Sequence, residues 1–408
     1  MKNKDSPKSL WENLAPAMRE KRMAALKKKL PSLLLSWFSE YQRPLPWRQT
    51  TDPYAIWVSE IMLQQTQVAT VTPYFLRFMG CYPSVQQLAA APLEEVLRYW
   101  AGLGYYSRVA RMHATAQFIC TYHHGRFPQT RDALLALPGI GKYTAGAIAS
   151  IAWGESVPVV DGNVMRVLTR LLAIHDDIAK PATHKMLWAI AGRLVPAADA
   201  GTYNQALMEL GATLCVPRNL RCKECPVQGL CMARRRSIQD HLPVKSIPRP
   251  PRSFDCLAVV IEAAGKVLLL KRPPGGLWPG LWEFPTFHVT PGRSTKPHVG
   301  IMLRQSLGLK VKQVRAAGKL GHQLTHRTFK YHIFHGRMDA VPPQVLLGKC
   351  DRGHYRDFAW VTSVTDRPCG TITRKIHEAI NGLEQRPDQF ALRPVRGGAP
   401  VHGRRPGH

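Results

Sequence analysis

The stretch "CVPRNLRCKECPVQGLC", residues 215–231, places four cysteines at separations C-x6-C-x2-C-x5-C. So few of its residues are apolar that burial alone cannot order it, and a shared metal is the device that folds such a segment. Structural zinc usually draws on paired short chelate loops, whereas only Cys222 and Cys225 form one here. The uneven spacing suits a loop wrapped round a 4Fe-4S cluster held by Cys215, Cys222, Cys225 and Cys231, with zinc as the second reading. The other five of nine cysteines are scattered, which fits a reducing compartment better than a disulfide framework. Ordering the loop also fixes Arg218, Arg221 and Lys223 where phosphates can meet them, so the metal's role is read as structural. Electron transfer is the rival role.

The charge of the whole chain points the same way. Its 56 basic and 27 acidic residues leave +29, which favours a polyanionic partner. Nucleic acid is favoured over membrane, because the longest apolar run, "LPSLLLSWF" at 30–38, is too short to span a bilayer. The amino terminus lacks the apolar core of a secretory signal and carries Asp5, Glu12 and Glu20. A cytoplasmic, nucleoid-associated and monomeric protein is expected. Residues 1–29 read as a basic, frayed extension and 30–233 as helix after helix broken at Pro and Gly. Residues 234–253 read as a Pro- and Arg-rich extended connector and 254–383 as an α+β domain opened by "CLAVVIEAAGKVLLLKR", two strands and a tight turn. Residues 384–408 read as a disordered basic tail.

Two features inside the helical part carry chemistry. "LLALPGIGKYTAGAIAS", residues 134–150, sets a Pro-Gly-Ile-Gly turn between helical stretches, where Gly139 and Gly141 allow consecutive N–H groups to face a phosphate. Taken alone, the turn is an ordinary helix connection. Asp161 follows in "VPVVDGNVMRV", after an apolar run and before a Gly-Asn turn. Taken alone, it is a helix cap.

Together with the cysteine loop, the hairpin and the aspartate resemble the helix-hairpin-helix superfamily that contains endonuclease III. "LPWR" (45–48), "SEIMLQQTQVATVTPYF" (59–75), "GLGYYSR" (102–108) and "VDGNVMRV" (160–167) resemble MutY-type adenine DNA glycosylases within it. The likeness implies an all-α catalytic domain with a 4Fe-4S loop, followed by a NUDIX-like α+β domain. It implies hydrolytic removal of adenine mispaired with 8-oxoguanine or guanine in double-stranded DNA.

Cleaving an N-glycosidic bond needs an acid for the departing base and a carboxylate for the cationic sugar, two carboxyls in unlike surroundings. Glu60 is the candidate acid: on a helix over 55–69 it has Ile56, Trp57 and Leu63 about it, an apolar neighbourhood that holds its proton. By resemblance Glu60 protonates adenine at N7, Asp161 stabilises the oxocarbenium ion, and Asn163 and Tyr143 support them. Where strand-nicking relatives have lysine this chain has Tyr143, with Lys142 beside it, which implies a monofunctional enzyme that leaves an abasic site. The resemblance gives Gln65 and Tyr105 a wedging role in the DNA stack and assigns Arg43, Trp47, Arg48, Leu63 and Gln205 to the adenine pocket.

The second domain departs more from the pattern. "RSTKPHVGIMLRQSLGL" lacks the clustered glutamates with which NUDIX hydrolases bind magnesium, so pyrophosphohydrolysis is disfavoured. The family's Phe-Ser-His reading motif is Leu324-Thr325-His326 here; Thr325 keeps a hydroxyl and His326 its ring, while the Phe is lost. Two other readings stand beside the main one: an endonuclease III-like lyase, and a non-catalytic iron-sulfur DNA-binding module.

Overall fold

The computed structural model describes residues 10–246, 250–290, 296–350 and 353–384. The chain divides into a unit Met1–Pro250 and a unit Pro251–His408. The first is helical and the second is built on a sheet.

The helix Pro16–Tyr41 buries Met23, Leu26, Leu30, Leu34 and Phe38, a spacing of three and four that makes one apolar stripe. The stripe packs on helices Gly162–Leu172, Pro181–Leu194 and Ala200–Thr213, and Trp11 joins the same core. The frayed extension expected over 1–29 is therefore corrected from residue 10 onward. Lysines 21 and 27–29 occupy the solvent face and mask the stripe in a linear reading. Residues 1–9 lie outside the described residues.

A second group of helices, Pro53–Leu63, Val68–Cys81, Leu93–Trp100 and Ser107–His123, closes round Trp57, Phe78 and Trp100, each at most 1% exposed. Between the two groups runs Lys142–Trp153, which packs against both Pro53–Leu63 and Ala200–Thr213. Its Ala145, Gly146, Ala147 and Ala149 are all buried, and their small size permits the double approach.

The connector expected over 234–253 is also corrected. Its first half is docked: Arg170 Nε donates to the carbonyls of Gln239 and Leu242, both at 2.9 Å, and Leu242 is buried. Val244 accepts from the Ile178 amide at 3.0 Å. Buried backbone acceptors for a buried arginine give this Pro-rich stretch a reason to pack. Residues 247–249 lie outside the described residues, as does the tail beyond Glu384.

The second unit is the α+β domain that the apolar runs imply. Strands β1 (Arg252–Ala263) and β2 (Lys266–Lys271) meet at Ala264 and Gly265, whose φ of 48° and 71° suit a two-residue turn matched to strand twist. With β3 (Trp282–Glu283), β4 (Thr286–Val289), β5 (Lys312–Gln323), β6 (Arg327–Met338), β7 (Lys349–Cys350), β8 (Gly353–His354) and β9 (Asp357–Val361) there are nine strands among the described residues. The main sheet runs β3-β2-β1-β6-β5, with β1 parallel to β6, β4 on β1 and β9 on β2. Alternation divides each strand between two cores. Cys256, Ala258 and Val260 face the helix Thr371–Glu384 through Ile372 and Ile376, while Leu257, Val259 and Ile261 face the helix Lys296–Leu307 through Val299 and Leu303.

Candidate active site

Glu60 reaches the seam from the helix Pro53–Leu63, and Asp161 reaches it from the cap of Gly162–Leu172. Both line one cavity of about 560 Å³. A volume of this order accommodates a purine with its sugar. Tyr143 and Asn163 share that wall, as do Arg43, Trp47, Arg48, Leu63, Gln65 and Gln205. Residues from five separate stretches of sequence thus converge.

Glu60 is 5% exposed and accepts from the Tyr143 hydroxyl at 2.5 Å. Burial pushes its carboxyl up to about 7. The Tyr143 hydrogen bond and Arg48 oppose that rise, and the charge of Asp161 adds to it. Burial and the two neighbouring carboxylates hold the Tyr143 phenol well above its usual value, so it remains a donor.

Asp161 has different company. Its Oδ1 accepts from the Val164 amide and its Oδ2 from the Asn163 side chain, both at 2.7 Å. Burial raises this carboxyl, while those two donors and Arg166 pull it back. Burial raises both carboxyls, and Asp161 has the more donors to offset it. The cap expected at Asp161 is present, and the same side chain faces the cavity, so cap and site are not alternatives here.

Arg166 ties this end of the site to the cysteine loop. Its Nη2 donates to Asn163 Oδ1 and to the Gly211 carbonyl, both at 2.8 Å, and its Nε donates to the Cys215 carbonyl at 2.8 Å. Gly211 is where the helices touch: a Cβ there would lie 2.7 Å from Asn163 Cβ and 3.0 Å from its carbonyl oxygen. Gly211→Ala is expected to cost about 1–3 kcal/mol through overpacking. Urea unfolding of the variant checks this.

Opposite, Glu209 was not singled out from the sequence. It is 1% exposed and clamps Arg43 through Nε at 2.6 Å and Nη2 at 2.7 Å, and Arg48 through Nη2 at 2.7 Å. Burial alone raises this carboxyl, but the two guanidiniums hold it below its usual value. Arg48 is further fixed by the Phe38 ring, 5.1 Å away, and Trp47 meets Phe75 edge-on at 5.3 Å. The available signal was Gln205, Met208, Glu209 and Ala212, which share one helical face and all line the cavity.

Gln65 is exposed and stands outside any helix, because the helix expected over 55–69 ends at Leu63 and resumes at Val68. Its φ is 57°. Tyr105 is 46% exposed on a separate loop and is not among the cavity's lining residues. In the hairpin, Gly139 has a φ of 80°, which glycine alone adopts freely. Gly141 is ordinary extended backbone at φ −95°, so left-handed freedom is not what it contributes. A Cβ there would touch nothing within 4 Å, and the position is open to an approaching ligand. Lys142 beside it is exposed, whereas Tyr143 points into the cavity. Thr325 and His326 are exposed in the turn between β5 and β6, and His322 is half-buried against Trp278 at 5.8 Å.

The four cysteines of 215–231 line one small cavity with Arg170, which donates to Cys215 Sγ at 3.3 Å. Among the described residues, no group of three Cys, His, Asp or Glu side chains is arranged to hold a single metal ion. Burial pushes Cys225 up to about 12, and with the neighbouring thiols it raises Cys222 and Cys231. Such a set ionises together only against strong positive charge.

Residues 58–193 match the HhH-GPD superfamily base excision DNA repair protein family, and residues 256–379 match the NUDIX domain family. Among the helices of the described residues, none is long and apolar enough to cross a membrane. The adenine DNA glycosylase of Homo sapiens is 38% identical over 76% of this chain and 67% of its own length. That of Schizosaccharomyces pombe is 30% identical over 81% and 84%, and that of Buchnera aphidicola (strain Bp) is 33% identical over 72% and 82%. Each of these alignments is longer than either unit alone. The chain belongs to the adenine DNA glycosylase family.

Proposed function

We propose that this chain hydrolyses the N-glycosidic bond of adenine mispaired with 8-oxoguanine or guanine in double-stranded DNA and leaves an abasic site. The observation that carries this is one cavity walled by two carboxyls in unlike surroundings, a buried Glu60 raised to about 7 and a capped Asp161 that accepts from Val164 and Asn163. Glu60 donates its proton to the base as the bond to the sugar breaks. Asp161 balances the positive charge that develops on the sugar. Tyr143 and Asn163 hold the two carboxyls in place, and Arg43, Arg48 and Gln205 offer the polar contacts that orient the base. Extrusion of adenine into the cavity is the work read for Gln65 and Tyr105. Thr325 and His326 are the contacts proposed for the oxidised guanine.

Single-turnover cleavage of duplexes with adenine opposite 8-oxoguanine, guanine or thymine tests the reading. Rapid adenine loss opposite the first two, with strand scission only after alkali, is expected. Scission without alkali, or equal rates on all three, overturns it. The Tyr143-in, Lys142-out arrangement adds that borohydride should trap no efficient Lys142 adduct; mass spectrometry of the trapped mixture is the check.

Cys215, Cys222, Cys225 and Cys231 are the residues proposed to hold a 4Fe-4S cluster, whose contribution when bound is to order a basic loop facing DNA. The four cysteines lining one small cavity, at the uneven spacing of residues 215–231, support this reading. Purified protein should contain iron and acid-labile sulfide in equal amounts. Zinc alone would count against this assignment.

A further inference from the structure

Gln65 and Tyr105 come from different segments, yet both hold a left-handed backbone, at φ 57° and 49°. Neither is a glycine, so each conformation is strained and persists only where surrounding contacts impose it. One side chain bonds both residues that flank Gln65 and the carbonyl of Tyr105 itself. Arg108 is 8% exposed, and its Nη1 donates to the carbonyls of Ile61 at 2.7 Å, Met62 at 2.9 Å and Gln64 at 2.5 Å. These acceptors lie at the end of the helix that carries Glu60 and in the turn after it, where carbonyls lack helical partners.

The other edge of the same guanidinium holds the second segment. Nη2 donates to the Gly104 carbonyl at 3.2 Å and to Thr66 Oγ1 at 3.3 Å, and Nε donates to the Tyr105 carbonyl at 3.4 Å. The Trp100 indole also donates to the Gly104 carbonyl, at 3.0 Å. The cation lies 5.2 Å from the Tyr105 ring centre. Only a planar fork of five donors spans both turns at once; a lysine at this position has one nitrogen and cannot.

We propose that Arg108 is a positioning residue for base extrusion, joining the turn after residue 63 to the loop at 104–105 so that Gln65 and Tyr105 act as one rigid wedge. It rests on the reading of this chain as an adenine glycosylase whose Gln65 and Tyr105 enter the DNA stack. Arg108 touches neither base nor sugar in this scheme. Its effect is on how often the base leaves the helix.

The test places 2-aminopurine at the target position opposite 8-oxoguanine and reads its fluorescence, which rises on unstacking, with Glu60→Gln throughout to block chemistry. Adding Arg108→Lys or Arg108→Met is expected to lower the extrusion equilibrium about tenfold, equivalent to about 1.4 kcal/mol. DNA affinity by anisotropy should stay close to that of Glu60→Gln alone; the melting temperature should fall, since buried carbonyls lose their donor, and extrusion is read well below it. Tyr105→Ala and Gln65→Ala should show the same selective loss, and Arg108→Lys should add little on a Tyr105→Ala background. An undiminished rise in both Arg108 variants overturns the proposal, as does a loss that comes only with failed binding or with unfolding at the temperature of the reading. If the Tyr105 and Gln65 variants extrude normally, the wedge reading falls and takes the proposal with it. If Glu60→Gln alone gives no rise, the proposed function is at fault.

Discussion

Glu60→Gln should lower the single-turnover rate of adenine release by about a hundred- to ten-thousandfold while leaving DNA binding in place. Glutamine keeps the shape and can still accept from Tyr143, but it has no acidic proton to give. In the unaltered protein the rate should fall as pH climbs through about 7, the value to which burial raises Glu60, and fall again in acid as Asp161, itself raised by burial, takes up a proton. The sign follows from the acid's role: the protonated form is active, and rising pH removes it. A linked effect on folding has the same direction. The native state holds this proton more tightly than the unfolded chain does, so stability should decline between the ordinary carboxylate range and about pH 7. Denaturant titrations across that window should lose this slope in Glu60→Gln. A rate that rises with pH through 7 would contradict the assignment of Glu60 as the acid.

Asp161→Asn should cost about a hundred- to a thousandfold in the same assay, because the cationic sugar loses its counter-charge. Asn caps a helix about as well as Asp does, so the bond to the Val164 amide can persist and the melting temperature should change little. Asp161→Ala removes cap and charge together. It should show the same kinetic defect plus about 1 kcal/mol of lost stability. The difference between the two variants separates the two jobs of one carboxylate. Loss of activity in Asp161→Ala with full activity in Asp161→Asn would mean that only the cap matters.

The two carboxyls were legible through the resemblance and not through their own surroundings: alone, Glu60 is an ordinary helical glutamate and Asp161 a cap, and both line the cavity. What escaped was side chains whose purpose lies in distant partners. Glu209 looks like any helical glutamate until Arg43 and Arg48, more than a hundred and sixty residues earlier, close on it. Arg108 looks like surface charge because its acceptors are backbone carbonyls, which every residue has. The sheet domain was legible because β1 and β2 are continuous apolar runs, as strands buried on both faces are. The part of the helix Pro16–Tyr41 before residue 30 was missed because lysines crowd between its stripe residues and dominate the composition.

That same helix bears on how the molecule is made. It is made before the surfaces it covers, which extend to Val227. At ordinary translation speeds the nascent helix would wait roughly ten to forty seconds for them. Throughout that interval its greasy side needs a chaperone or a temporary neighbour. Because Arg22 donates to the Leu230 carbonyl within the cysteine loop, the earliest and latest pieces of this lobe dock together. Completion of this lobe therefore waits on the cysteine loop, among the last of its segments to be made.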